Sequence, residues 1–441
     1  MQNIYDVKTD QIEVVNPENR GIFAPVKVYE QDIDTIIEKI LSGKRISIED
    51  GLILYHQAPL LTLANLADHR RFQLHPERVI TFVVDRNINY TNICMSGCLF
   101  CAFYKIPSAN DGKESNGQGG YVISKESLRE KIEETIDLGG TQILLQGGMN
   151  PALDLDYYID LLKYIKNNFN IHVHGFSPPE IWWLAQKSSL RQTSKLREDS
   201  SSPTASSSTK SLSVKHLITI LKDAGLDSIP GGGAEILCDE IRQKVSPNKC
   251  TTNQWLEVME SAHELGLKSS ATMMFGHIES PVHIFKHLDR LRSLQDRTGG
   301  FTAFIPWTFQ PDNTNLGKST SYKLSDTKHS ILFKKNTNNH TEQHRKIRKT
   351  SAVEYLRVLA LSRLFLDNFD NIQASWVTQG DKIAQTALFY GANDMGSTMI
   401  EENVVASAGV DFMLPEKELR RLIEDAGFVP KQRDCFYNLI R

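Results

Sequence analysis

Cysteine is scarce in this chain: six in 441 residues, too few for a disulfide scaffold. Long apolar runs are missing as well. Stretches such as Ile143-Leu144-Leu145 are far too short to cross a bilayer, so no transmembrane span is expected. The N-terminal MQNIYDVKTDQIEVV lacks a basic segment followed by an apolar one, so no secretory signal is expected and the cytoplasm is the expected location. An excess of charge of one sign is also absent. Fifty Lys and Arg against 53 Asp and Glu leave a net charge of −3, which argues against a dedicated nucleic-acid binder. What remains is an ordinary soluble composition, 40% hydrophobic and 23% charged.

The scarce cysteines are unevenly placed. Cys94, Cys98 and Cys101 fall within eight residues, whereas Cys238, Cys250 and Cys435 are scattered and read as structural thiols. A tight cluster in a chain without a secretory signal reads as a metal or redox site.

Along the chain, QDIDTIIEKILSG carries isoleucines at helical spacing, a second helix starts at Ser47, and LLTLANLADHRR makes a third. These form a helical N-terminal extension over 1–75. From about residue 79 short apolar runs alternate with amphipathic segments. Strands are expected at 79–84, 142–146, 171–176, 227–230, 269–275, 302–309, 372–377 and near Ala392–Gly396. Eight strands alternating with helices favour a parallel (β/α)8 barrel of the TIM type over residues 76–400, with an open doubly wound sheet as the alternative. Residues 401–441 form a C-terminal segment expected to pack on the barrel. Two stretches break the rhythm. Residues 188–213 are dominated by Ser and Thr, and residues 315–350 carry nine Lys and Arg against two Asp and Glu. Both hold too little apolar surface to pack and are expected as surface insertions.

The cysteine segment reads DRNINYTNICMSGCLFCAFYK, with the spacing Cys94-x3-Cys98-x2-Cys101. Three thiolates on one loop can hold three irons of a [4Fe–4S] cluster, which normally takes four cysteines. The fourth iron then stays open to an exogenous ligand, which is a catalytic arrangement. Met95, Leu99, Phe100, Ala102, Phe103 and Tyr104 would shield the cluster. A single zinc ion completed by a distant His is the competing reading, in which the chain would be a non-enzymatic scaffold stapled by zinc.

This motif, after the first strand of an α/β barrel, resembles the radical S-adenosylmethionine superfamily. The segments VDRNINYTNIC, CLFCAFYK, GGTQILLQGG, HGFSPPEI, AGLDSIPGGGAEIL, ATMMFGHIE, GGFTAFIPWTFQP, NIQASWVTQG, GANDMGSTMIEENVV and RRLIEDAGFVPKQRD resemble its futalosine-pathway cyclases of menaquinone biosynthesis. Two related groups share much of the pattern: aminofutalosine synthases and the second half of the deazaflavin-precursor (FO) synthase. The resemblance implies a [4Fe–4S] cluster, S-adenosylmethionine, and an external electron donor such as a flavodoxin or ferredoxin. It also implies the small-molecule substrate dehypoxanthine futalosine. A 5′-deoxyadenosyl radical would take hydrogen from the ribose, and the ribose carbon would close onto the benzoate ring.

Candidate site residues sit where barrel strands end. The resemblance implies that Gln146-Gly147-Gly148 holds the methionine part of S-adenosylmethionine, and Tyr104 is a further cofactor contact. Glu235, after the Gly231–Gly233 triplet, could accept from ribose hydroxyls. His172 and His174 share one face of a strand. They could hold a metal, but the sequence offers no third ligand, so they are read as substrate contacts together with Glu180. Arg86 is a candidate for the substrate carboxylate. His277 and Glu279, after the fifth strand, are candidates for the base that removes the last ring proton.

Overall fold

A computed structural model describes residues 32–108, 119–198, 212–319, 347–410 and 412–440. The first strand, β1 (Val79–Val83), bends at Val84 and continues as β2 (Asp85–Asn89). There follow β3 (Gln142–Gln146), β4 (His172–Gly175), β5 (Ser228–Ile229), β6 (Lys268–Phe275), β7 (Phe301–Thr308) and β8 (Asn371–Ile372), then β9 (Asp394–Ser397) and β10 (Val429–Gln432). Strands β2 to β8 form one parallel sheet in sequence order. Its strands are buried on both faces, as a sheet wrapped in helices requires.

The seven strands curl into a partial barrel, and β9 fills the eighth position. Gln373 bridges Asp394 in parallel on one side of it. On the other, the Thr398 N–H donates to the Val83 carbonyl (2.9 Å) and the Ile400 N–H to the Asp85 carbonyl (3.2 Å). The expected α/β barrel is thus the observed architecture. The strand over 372–377 is shorter than its sequence suggests, because Trp376–Gln379 turns helical. Two strands went unread: β2, which carries the chain past residue 84 and opens the seven-stranded sheet, and β10, which pairs in parallel with β1, Val79 opposite Val429.

The N-terminal helices are α1 (Ile33–Leu41), α2 (Ile48–Gln57) and α3 (Leu60–Leu74). Ser47 and Asp50 form a reciprocal capping box at the start of α2. These helices pack on the barrel's own outer helices and share its hydrophobic core. Arg357 donates to the carbonyls of Tyr55 (3.1 Å) and Ala58 (2.8 Å), and Arg292 to that of Ile46 (2.9 Å).

The first expected insertion begins as structure: the helix Pro178–Glu198 runs on through residues 188–198. The run QKSSLRQTSKLRE holds enough Leu, Gln, Lys, Arg and Glu to propagate a helix already nucleated upstream. The second insertion starts with a short helix, Asn315–Lys318, and most of its remainder lies outside the described residues. No helix among the described residues is long and apolar enough to cross a membrane.

Candidate active site

β2 ends at Asn89 and delivers the chain into the cysteine loop at the C-terminal end of the barrel. The loop folds back on itself: the Cys94 N–H donates to the Lys105 carbonyl (2.9 Å) and the Lys105 N–H to the Asn92 carbonyl (2.8 Å). Ser96 Oγ lies 3.0 Å from Cys94 Sγ and 3.3 Å from Cys98 Sγ. All three thiols are free, with Cys98 buried and Cys94 and Cys101 half-buried. Burial pushes the Cys98 thiol up to about 12 and raises that of Cys101. Thiolates here therefore need a bound cation to stabilise them. Three free thiols on one loop fit the corner irons of a [4Fe–4S] cluster.

The β3 end is pressed flush against this loop. The Gly148 N–H donates to the Thr91 carbonyl (3.0 Å) and the Met95 N–H to the Met149 carbonyl (3.0 Å). The Met149 N–H points at Cys94 Sγ (3.3 Å). A Cβ at Gly148 would lie 2.2 Å from the Ile93 oxygen, so only glycine allows the approach. Gln146, the last residue of β3, faces the barrel lumen. Glu180, expected as a substrate contact, is instead a brace. Its carboxylate accepts from Tyr90 Oη (2.6 Å), the Gly147 N–H (2.9 Å) and the Ser177 N–H (2.8 Å). It ties the ends of β2, β3 and β4 together, and burial raises its carboxyl above the ordinary range.

Glu235 sits at a left-handed position, φ 41°, with its carboxylate buried. It accepts from Lys249 Nζ at 2.7 Å, and Arg242 Nη1 lies 4.0 Å away. Lys249 in turn lies 5.1 Å from the Phe100 ring centroid. Burial works against its charge, but Cys98 and Glu235 outweigh that and hold its pKa above the usual lysine value. Lys249 thus joins Glu235 to the cysteine loop, a role that no local motif signalled. Tyr104 is half-buried on the same loop, just past Cys101.

The lumen is a cavity of about 270 Å³. Its walls include Leu144, Ile305 and Trp307, and its polar groups include Asn87, Gln146 and Thr272. Two carboxyl groups, the buried Asp85 and the half-buried Glu402, also line it, and loss of hydration raises both above the ordinary range. Glu402 accepts from Asn87 Nδ2 (2.9 Å) and from the N–H groups of Val404 (2.7 Å) and Val405 (3.0 Å). Its only sequence signal was the segment GANDMGSTMIEENVV, which named no role for it.

The remaining candidates scatter. His174 lines the lumen, while His172 starts β4 level with Asp85 across the sheet. Arg86 lies on the opposite face of β2 from Asp85 and Asn87, beneath the helix Lys125–Asp137, and pairs with Glu134 at 2.5 Å. His277 and Glu279 contact each other at 3.1 Å. The Glu279 carboxylate also caps the turn after β6, accepting from the His277 N–H at 3.0 Å. Neither residue lines the lumen.

Comparison with known proteins agrees with this geometry. Residues 88–291 match the radical SAM superfamily, and residues 330–441 match the CofH/MqnC C-terminal region. The cyclic dehypoxanthine futalosine synthase of Halalkalibacterium halodurans is 42% identical, over 93% of this chain and 95% of that one. The aminodeoxyfutalosine synthase of Thermus thermophilus is 36% identical, over 92% and 95%. The FeFe-hydrogenase maturase of Carboxydothermus hydrogenoformans superposes with a TM-score of 0.60 at 15% identity, covering 92% of this chain and 80% of that one, which is a likeness of fold. With its three-cysteine loop, its partial barrel and relatives aligned along nearly its whole length, the chain belongs to the radical S-adenosylmethionine superfamily, in the branch that carries the CofH/MqnC C-terminal region.

Proposed function

We propose that this chain cyclises dehypoxanthine futalosine to cyclic dehypoxanthine futalosine on the route to menaquinone. The observation that carries this is the 42% identity to a synthase of that name. It extends over 93% of this chain. Cys94, Cys98 and Cys101 would hold a [4Fe–4S] cluster. When bound with S-adenosylmethionine, it supplies the reductive cleavage that delivers a 5′-deoxyadenosyl radical beside the substrate ribose.

The protein's own part is placement and exclusion of water. Glu180 and Tyr90 hold Gly147 against the cysteine loop, so the backbone after β3 can meet the methionine part of the cofactor. Glu235, fixed by Lys249, and Tyr104 stand by the same loop as further cofactor contacts. Leu144, Ile305 and Trp307 shield the reacting carbons from water. Gln146, Asn87 and Thr272 give the ribose and carboxylate hydrogen-bond partners. Ring closure ends with loss of a ring proton and of one electron, for which the oxidised cluster would be the acceptor. Of the candidates for that base, His277 and Glu279 stand outside the cavity. Glu402 stands in it, its carboxyl raised by burial toward the range where a carboxylate accepts protons well. The electron donor is a small external reductant such as a flavodoxin or ferredoxin, and the enzyme works in the cytoplasm.

An anaerobic assay tests the reading. The protein is reconstituted with iron and sulfide and given reductant, S-adenosylmethionine and dehypoxanthine futalosine, and the products are weighed by mass spectrometry. A product two hydrogens lighter than the substrate, with methionine and 5′-deoxyadenosine, is expected. Deoxyadenosine without that product would overturn the substrate. Turnover of an aromatic futalosine precursor would move the chain to the second reading, that of the aminodeoxyfutalosine synthase 36% identical to it.

A further inference from the structure

At the other end of the lumen, three donor atoms from remote parts of the chain converge. His172 and His174 project from the same face of β4. His172 Nε2 lies 2.7 Å and His174 Nδ1 2.6 Å from the Ser228 hydroxyl on β5. The loop after β10 brings Cys435 Sγ to 3.7 Å from His174 Nδ1 and 3.4 Å from Ser228 Oγ. The three donors of His172, His174 and Cys435 all lie within 4.8 Å of one another. The third ligand that the His-x-His pair lacked in sequence is therefore supplied from 261 residues away.

On the far sides of the rings, His174 Nε2 lies within hydrogen-bond reach of Ser270 Oγ at 3.4 Å, and His172 Nδ1 lies 4.0 Å from the Asp227 carboxylate, a charge contact longer than a hydrogen bond. A metal-binding imidazole is usually oriented by a hydrogen bond on its far nitrogen. The strand register separates this place from the cysteine loop. His172 is level with Asp85 at the start of β2, whereas the loop begins beyond Asn89 at its end.

We propose that His172, His174 and Cys435 form a second metal site, which takes one zinc-like divalent ion and pins the C-terminal loop beneath the barrel. Two imidazoles and a thiolate are a donor set that suits zinc. Ser228 Oγ lies within 3.4 Å of all three donor atoms. The loop that the ion would fix carries Arg433 and Tyr437, which together with Cys435 line the base of the lumen. Arg433 already makes a buried two-pronged pair with Asp394, at 2.6 and 3.0 Å, and Phe436 meets the His172 ring edge-on at 5.1 Å. A bond from Cys435 to the ion would lock this floor and close that end to water.

The test uses the full chain with Cys94, Cys98 and Cys101 replaced by Ala, so that the cysteine loop binds nothing. Co2+ is titrated in and followed by absorbance, and bound Zn2+ is counted by elemental analysis after dialysis. One equivalent of either metal is expected, with a thiolate-to-cobalt charge-transfer band in the near ultraviolet. Cys435→Ser should abolish the band, and His172→Ala should weaken binding at least ten-fold. Absence of stoichiometric binding overturns the proposal, leaving the cluster as hydrogen bonds about Ser228. A band that survives Cys435→Ser overturns it as well. Should the triple variant not fold, the wild-type chain with its iron–sulfur cluster reconstituted is analysed for zinc in addition to iron. One zinc, missing in Cys435→Ser, is expected there, and no zinc beyond the Cys435→Ser level overturns the proposal.

Discussion

A methyl group at position 148 would meet the Ile93 oxygen at 2.2 Å and Cys94 Cβ at 2.8 Å. Gly148→Ala must therefore push the β3 end away from the cysteine loop. Reconstituted iron is expected to fall from about four per chain to below one, measured by iron and sulfide analysis, with the far-ultraviolet dichroism unchanged. Lys249 offers a second test at this scale. Its ammonium is the close partner of the buried Glu235 carboxylate, at 2.7 Å. Removing one member of such a pair leaves a buried charge uncompensated, which costs about 3 kcal/mol. Lys249→Met should lose about that much in urea unfolding, and adding Glu235→Gln should recover most of it. A single variant as stable as wild type would show that the pair does not hold the loop.

At the scale of elements, the N-terminal helices are part of the barrel's outer layer. The contact is close: an ideal Cβ on Gly51 in α2 would lie 2.3 Å from the Phe285 ring of the helix Pro281–Thr298. In an isolated helix Gly→Ala gains up to about 1 kcal/mol. Here overpacking costs about 1–3 kcal/mol, so the sign should reverse. Gly51→Ala is expected to lower the thermal midpoint, and a raised midpoint would show that the two helices slide apart freely. The same packing explains why β10 went unread. VPKQ has no alternating apolar face, and it is a strand because β1 offers it an edge to pair with.

At the scale of the whole molecule, stability should depend on pH through neutral histidines in the core. Burial pushes His263 down to about 4 and His287 to about 3. Below the unfolded value near 6.5 the unfolded chain binds the protons and the folded chain does not. Stability from these groups therefore falls as pH falls from about 6.5 toward 4 and 3. By pH 5.5 each costs on the order of 1 kcal/mol. Asp85, Glu180 and Glu402, raised by burial, act with the opposite sign, so the total hides the effect. Comparing variants isolates it: in His287→Gln the loss between pH 7.5 and 5.5 should shrink by about 1 kcal/mol in urea unfolding. An unchanged pH dependence would mean that His287 is charged in the folded protein.

Local features were legible without the fold. The cysteine spacing placed three thiolates on one loop, because residues so close in sequence share a turn whatever surrounds them. Ser47 announced a helix start, since a cap needs only the first turn beyond it. The alternation of strand and helix carried the barrel, because a parallel strand needs a crossover helix before the next. What the sequence left open were choices between faces and meetings across distance. Alternation along β2 says that Arg86 and Asn87 point opposite ways; only closure of the sheet decided that Asn87 looks into the lumen and Arg86 out to Glu134. Glu402 meets Asn87, and Cys435 meets His174, across 315 and 261 residues. Such contacts have no local signature, because they arise from the tertiary burial that brings strand ends and the C-terminal loop around one cavity.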